Sequence, residues 1–120
     1  MPDKAQMIAA IETYCRAETE GDWDAFIALF AEEGVLHEDP VGYAKRYGRE
    51  GLEEIWGMSQ AGKVNLQLTG DVIVCANEAI AFMRAETTHE GQARVTEPIV
   101  DHFVFDEDGK ITSVRAFYSF

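Results

Sequence analysis

Three residues of this sequence, Tyr14, Asp39 and Asp101, bring acid–base chemistry to positions where apolar surroundings are expected. A carboxylate can remove a proton from carbon. A phenol and a neutral carboxylic acid can each donate a hydrogen bond to an oxygen that gains negative charge. Together the three types predict a site that transfers a proton next to a carbonyl group.

Tyr14 lies on the core-facing side of a predicted helix. It follows Ile11 by three residues and Ala10 by four, which is the spacing of one helix face. Its hydroxyl must therefore find a hydrogen-bond partner or line a cavity. The alternative is an ordinary core tyrosine bonded to a backbone carbonyl.

Asp101 alternates with apolar residues along a predicted strand over residues 92–105. The residues that share its side of the strand are Val95, Ile99, Phe103 and Phe105. No cation lies near it on that face, so burial should raise the pKa of the carboxyl and keep it neutral. The alternative is a bulge around Pro98 that turns Asp101 to solvent.

Asp39 follows a brief predicted strand over residues 35–38 and precedes Pro40. Asp-Pro commonly starts a plain turn, and that is the simplest interpretation of the pair alone. If Asp39 lies at the entrance of a pocket that holds two neutral donors, it becomes a candidate general base, because a base is then paired with an oxyanion site.

The elements that must position these residues are three helices followed by a run of strands. Apolar spacing predicts helices over residues 3–21 and 22–34 and a shorter one around Leu52, Ile55 and Trp56 that ends near Gly57. A polar, exposed loop is expected through Gly42 and Gly48.

Alternation predicts strands over 64–68, 71–76, 79–89, 92–105 and 111–118. The short links between them favour antiparallel hairpins. The pattern is that of an α+β fold in which helices cover one face of a curved sheet and leave an apolar pocket between the layers.

The length and net charge of the chain limit the number of domains and the classes of partner. The chain has 120 residues and a net charge of −12. The length favours a single domain over residues 1–120, and the charge disfavours nucleic acid and anionic membrane surfaces as partners. We expect a cytoplasmic protein without export signal or membrane span, with Cys15 and Cys75 as reduced core residues.

The chain resembles bacterial steroid Δ5-3-ketoisomerase, also called ketosteroid isomerase, along nearly its whole length. The matching segments are Thr13-Tyr14-Cys15, Gly21-Asp22-Trp23-Asp24, Glu38-Asp39-Pro40-Val41-Gly42, Asp101-His102-Phe103 and Val114-Arg115-Ala116. The resemblance implies a nuclear-transport-factor-2-like fold, which is a cone of a strongly curved, mostly antiparallel sheet and three N-terminal helices. It also implies a homodimer.

Carried over by position, the resemblance gives each residue a role. Asp39 matches the general base, while Tyr14 and Asp101 match the donors that hold the 3-oxygen of a steroid as it becomes a dienolate. A neutral carboxylic acid in an apolar site is the known precedent for Asp101 in this family. The implied activity shifts a C=C bond from the β,γ to the α,β position of a ketone and needs no metal or organic cofactor.

Six residues are predicted to line the pocket and bind the substrate. The substrate-binding residues expected for a small apolar ketone are Trp56, Phe82, Met83, Phe103, Tyr118 and Phe30. Aromatic residues at strand spacing are also common in a plain core. Phe30 and Trp56 stand where relatives can carry tyrosines that support the catalytic tyrosine.

The histidines His37, His89 and His102 show no metal-ligand spacing. His37 alternates to the same side as Asp39, so hydrogen bonding or pH sensing there is a minor hypothesis. Two other functions stay open. One is a module of the same fold that binds apolar ligands without catalysis, and the other is a polyketide-cyclase-like enzyme.

Overall fold

Apolar residues follow helical spacing in the first half of the chain and strand alternation in the second half. The protein accordingly has a layer of helices and a layer formed by a sheet. The computed structural model describes residues 2–120. The helices are α1 (Lys4–Glu20), α2 (Trp23–Ile27) and α3 (Gly48–Ala61). The strands are β1 (Leu36–Glu38), β2 (Lys45–Tyr47), β3 (Asn65–Leu68), β4 (Ile73–Cys75), β5 (Glu78–His89), β6 (Gln92–Phe105) and β7 (Ile111–Phe117).

The strands form one sheet in the order β2-β1-β7-β6-β5-β3, with β4 also paired to β5. The β1–β7 pairing is parallel, and the other pairings are antiparallel. The predicted α+β class with a curved, mostly antiparallel sheet is thus confirmed. In the part of the chain that the structure describes, no helix is long and apolar enough to cross a membrane.

Helix α1 begins and ends at residues with clear capping chemistry. The Asp3 carboxylate accepts from the backbone N–H of Gln6, whose side chain accepts in return from the backbone N–H of Asp3. At the other end Gly21 adopts a left-handed conformation with φ 74° and donates to the carbonyl of Ala17. These caps set the length of the helix that carries Tyr14.

The second and third helices differ from the predicted bounds. Helix α2 ends at Ile27, earlier than the predicted end at residue 34. Phe30 lies outside the helix and forms a parallel bridge with Ile111 of β7. Helix α3 is longer than expected and starts at Gly48. The expected loop between Gly42 and Gly48 contains strand β2, which pairs with β1.

A bulge in β6 changes which residues of that strand face the core. Met83 pairs with Ile99, but Ala85 pairs with Thr96, so β6 holds one extra residue across this step. The bulge near Pro98 that the sequence allows is therefore present, but it comes before Asp101 and leaves that residue buried. Its effect is on Val95, which is 48% exposed although alternation predicts it inside.

The core lies between α1, α2 and the inner face of the sheet. Phe26, Phe103 and Phe105 are fully buried there. The prediction that both cysteines are core residues is confirmed for Cys15 and wrong for Cys75, which is exposed on the short strand β4. A three-residue strand at the edge of the sheet leaves one of its faces open to solvent.

The cap of α1 leads to a first prediction. Gly21→Ala should lower the free energy of unfolding by about 1–2 kcal/mol, because a Cβ is unfavourable at positive φ. The new Cβ would also lie 3.0 Å from the side-chain oxygen of Gln60. Urea denaturation measures the change.

Gly57→Ala is the matched control, because Gly57 lies inside α3 and a Cβ added there would have nothing within 4 Å. It should raise stability by roughly 0.5–1 kcal/mol. Equal effects of the two substitutions would contradict the assigned cap.

Candidate active site

A cavity of about 320 Å³ lies between the helices and the sheet. The three predicted catalytic residues Tyr14, Asp39 and Asp101 all line it. The sequence-based grouping of these residues therefore corresponds to one place in the structure. They come from α1, from the turn after β1 and from the middle of β6.

Asp101 is 5% exposed and sits where both neighbouring strands carry a small residue. Its register partners are Ala81 on β5 and Ala116 on β7. Because neither methyl group fills the space beside it, the carboxyl can face the cavity. Its Oδ1 atom has no hydrogen-bond partner among the described residues.

Burial raises the pKa of the Asp101 carboxyl well above its usual range, and the charges of Asp39 and Glu18 raise it further. This environment therefore favours the neutral acid over the carboxylate. A neutral carboxylic acid has one O–H to donate, which the charged form lacks.

Tyr14 is 2% exposed and is held by aromatic rings on three sides. Its ring centroid lies 5.4 Å from that of Phe26, 6.3 Å from Phe30 and 5.3 Å from Phe103. Burial raises the pKa of its phenol well above the usual value, and the nearby carboxylates add to the shift. The hydroxyl thus keeps its proton and can act as a donor.

The partner of the Tyr14 hydroxyl is His37 on β1, whose Nε2 lies 2.9 Å away. His37 is 1% exposed, and its Nδ1 has no partner within residues 2–120. Burial lowers the pKa of the imidazole to about 4, against an opposing effect of Asp39. The ring is therefore neutral near pH 7, and neither Phe30 nor Trp56 supplies this hydrogen bond.

Asp39 is half-buried at the start of the turn that follows β1. Its backbone N–H donates to the carbonyl of Ala44 at 2.9 Å. The Tyr118 hydroxyl donates to Asp39 Oδ1 at 2.6 Å. One carboxylate oxygen is thereby held in place while Oδ2 is left without this contact.

The preceding residue fixes the same turn. The Glu38 carboxylate accepts from the backbone N–H of Gly42 and from the Arg115 guanidinium, each at 2.9 Å. These two contacts, the backbone one first, lower the pKa of Glu38 below its usual value. The segment that carries Asp39 is therefore tied both to itself and to β7.

Glu18 is a fourth acid–base residue of the cavity and was not predicted from the sequence. It is 6% exposed and lies one helical turn after Tyr14 on α1. Burial and the charge of Asp39 raise the pKa of its carboxyl to about 8. The i, i+4 spacing from Tyr14 was the signal that could have found it.

The predicted substrate-binding residues are placed differently. Of the six, Tyr118 alone is among the cavity-lining residues. Phe30, Met83 and Phe103 are core residues, and Trp56 packs against Trp23 and Phe26. Phe82 falls on the opposite side of β5 from the buried Met83. Phe30 and Phe103 pack against the Tyr14 ring.

The cavity wall is mainly apolar in exposed area, as expected, but polar side chains also line it. The polar side chains are Tyr14, Glu18, Asp39, Ser59, Thr87, His89, Thr96, Asp101 and Tyr118. The remaining lining residues are Ile55, Met58, Val64, Leu66, Ala85, Ile99 and Ala116. Such a wall suits a mainly apolar ligand that carries polar groups. In residues 2–120 no three metal-ligating side chains come together as a group that could hold an ion.

The helices, the sheet order and the acid-lined cavity together define a nuclear-transport-factor-2-like domain. Residues 11–114 match the family model described as a SnoaL-like domain, and the chain belongs to this family. A curated relative is the Steroid Delta-isomerase of Nocardioides simplex. It is 39% identical over 115 residues, which cover 96% of this chain and 91% of the relative.

Two solved structures share the fold. One is the epoxide hydrolase/cyclase-like enzyme SalBIII, described for its role in pyran ring formation in the polyether salinomycin. It has a TM-score of 0.90 and 27% identity, with 99% of this chain and 95% of that one covered. The other is RV0760c from Mycobacterium tuberculosis, with a TM-score of 0.85, 16% identity and the same coverage. At that lower identity the likeness concerns the fold alone.

The raised pKa of Glu18 leads to a second prediction. Between the ordinary value of 4.5 and about 8, the folded protein keeps a proton that the unfolded chain has released. Stability should therefore fall as pH rises through this window, by at most about 1.4 kcal/mol for each pH unit. Glu18→Gln removes the ionisation, so its stability relative to the wild type should be higher at pH 7.5 than at pH 4.5.

Thermal or urea unfolding of both proteins at the two pH values measures this difference. Glu20→Gln is the control, because Glu20 lies on the same helix with a side chain that is 56% exposed. A Glu18→Gln effect that is the same at both pH values would contradict the buried, protonated state.

Proposed function

We propose that this protein is a cofactor-independent isomerase that moves a C=C bond from the β,γ to the α,β position of a ketone. The proposed substrate is similar to a 3-oxo-Δ5-steroid. The observation that carries the proposal is one cavity that holds a half-buried carboxylate, Asp39, together with two buried donors, Tyr14 and Asp101. The 39% identical Steroid Delta-isomerase supports it.

Asp39 is the general base in this proposal. Its carboxylate takes a proton from the carbon between the ketone and the double bond, so that a C–H bond breaks and an O–H bond forms. The electron pair moves through the ketone to its oxygen and produces a dienolate. The same carboxyl then returns the proton to the far carbon of the dienolate, and the C=O bond forms again.

Tyr14 and Asp101 stabilise the intermediate. Negative charge collects on the substrate oxygen when the proton leaves, and donors fixed beforehand stabilise that charge without reorganising. The unpartnered Oδ1 of Asp101 and the buried Tyr14 hydroxyl are suited to this role. A base and two donors are all that the step requires.

His37 is a positioning residue for Tyr14. If the neutral ring carries its proton on Nε2, it donates to the phenol oxygen at 2.9 Å, and the Tyr14 hydroxyl hydrogen stays available for the substrate. A hydrogen bond donated to a phenol also strengthens that phenol as a donor. His37 thus takes the place that the resemblance leaves to additional tyrosines.

A cyclase-like reaction is the second candidate, and the extra carboxyl of Glu18 favours it. A cavity lined by three carboxyl groups can activate a nucleophile and protonate a leaving oxygen as well as shift a double bond. The SalBIII enzyme, 27% identical, is described as epoxide hydrolase/cyclase-like. The homodimer and the cytoplasmic location remain predictions.

The third prediction tests the base and the donors with 5-androstene-3,17-dione, whose conversion is followed by enone absorbance. Asp39→Asn should lower kcat by about 10²–10⁴ because the base is lost. Asp101→Leu should cost about 10²–10³ in kcat, and Asp101→Asn less, because an amide can still donate.

Asp71→Asn is the matched control, since Asp71 is exposed and is not among the residues that line the cavity. It should retain the activity of the wild type. Full activity of both Asp39→Asn and Asp101→Leu would remove the isomerase mechanism, and a wild type that is inactive on this substrate would contradict the proposed steroid-like substrate.

The fourth prediction concerns His37. His37→Leu should lower kcat by about tenfold, the effect of losing one hydrogen bond of about 1–1.5 kcal/mol, with little change in KM. His37→Gln should recover part of the loss, because its amide nitrogen can reach the Tyr14 oxygen. Nitrogen NMR of the wild type should show a neutral ring at pH 7 with its proton on Nε2. A ring that is charged at pH 7, or His37→Leu with unchanged kcat, would refute the positioning role.

A further inference from the structure

The Glu18 carboxyl is the buried polar group of the cavity that neither the fold nor the proposed reaction uses. Its backbone carbonyl accepts from the side chain of Gln60 at 2.8 Å. The residue is 6% exposed, its carboxyl takes part in no hydrogen bond within residues 2–120, and its oxygens are not among the fully buried unpartnered atoms, so they keep surface in the cavity that Glu18 lines. A buried acid without a partner destabilises the fold, so packing alone gives no reason for it.

Its position relative to Tyr14 defines a direction in the cavity. Residues four apart on a helix lie on one face with Cβ atoms about 5–6 Å apart. Tyr14 and Glu18 both line the same cavity from α1. A ligand whose ketone oxygen contacts Tyr14 therefore extends past Glu18 if it follows the helix.

The chemistry of the group restricts what it binds. Burial and the charge of Asp39 keep Glu18 protonated near pH 7. In that state its O–H is a donor, and the matching ligand group is an acceptor oxygen. Thr87, Thr96 and Ser59 also line this cavity, so the wall offers further hydroxyl groups to an oxygenated ligand.

We propose that Glu18 is a specificity-determining residue that donates a hydrogen bond to a second oxygen of the substrate, one helical turn along α1 from the oxygen held by Tyr14. The substrate class is then a ketone with an additional hydroxyl or carbonyl group, and not a ketone on a bare hydrocarbon frame. This inference rests on the proposed function, because it takes the Tyr14 contact as the reference point.

Binding of naphthols tests it, with the phenolic hydroxyl in place of the dienolate oxygen. The probes are 2-naphthol, 2,6-dihydroxynaphthalene and 2,7-dihydroxynaphthalene, whose second hydroxyl lies on the far ring. At least one dihydroxy compound should bind the wild type about tenfold more tightly than 2-naphthol. This ratio of Kd values should persist in Glu18→Gln, which keeps a donor, and fall to near one in Glu18→Leu.

Glu20→Leu is the matched control on the exposed side of α1 and should keep the ratio of the wild type. NMR provides a second measurement that needs no variant, because side-chain protons of Glu18 should show contacts to the ring with the second hydroxyl. A ratio near one for both isomers in the wild type, or a ratio that survives in Glu18→Leu, overturns the inference.

The outcomes also separate this inference from the proposed function. Tyr14→Phe should weaken binding of 2-naphthol about tenfold, because it removes the donor to the phenolic oxygen. If it does so while neither dihydroxy compound gains affinity, the inference about Glu18 fails and the proposed function stands. If 2-naphthol binding does not depend on Tyr14, the reference point is lost and both fail.

Discussion

The crowding of carboxyl groups around one cavity is the constraint on which the site depends. Burial is the main cause that raises the pKa of both Asp101 and Glu18, and the charge of Asp39 raises both pKa values further. Burial and the nearby charge of Asp39 therefore favour the neutral acid form of Glu18 and of Asp101. In the proposed mechanism this grouping of acids supplies both the base and a donor, and His89 is the one basic side chain among the described residues that line the cavity.

The fold supplies what this division of roles requires. Strand β6 places Asp101 between Ala81 and Ala116, where no large side chain fills the space beside it. Helix α1 brings Tyr14 and Glu18 to the same cavity, and the turn pinned by Glu38 and Arg115 brings Asp39. The rigid elements therefore determine which acid is buried and which stays partly solvated, and burial determines protonation.

Much of this arrangement could be predicted from residue types and spacing. Alternation along β6 predicted that Asp101 is buried, and helical spacing predicted that Tyr14 is buried. Spacing could not show that the ring of Phe103 packs on Tyr14 and so belongs to the core, because that choice depends on side-chain packing across layers. The His37 contact and the effect of the bulge on Val95 likewise depend on strand register, which sequence periodicity leaves undetermined.

The buried carboxyl of Glu18 is informative about the function of the cavity. An apolar side chain at this position would remove a buried acid and its cost to stability, and nothing in the packing of α1 against β3 requires a carboxyl. Residues that lower the stability of the fold are expected at functional sites. In the proposed isomerase reaction Asp39, Tyr14 and Asp101 act as base and oxyanion donors, and the use that we propose for the neutral Glu18 donor is recognition of a second substrate oxygen. The same fold can therefore keep one proton-transfer centre and select among ketones by the polar groups placed one turn away from it.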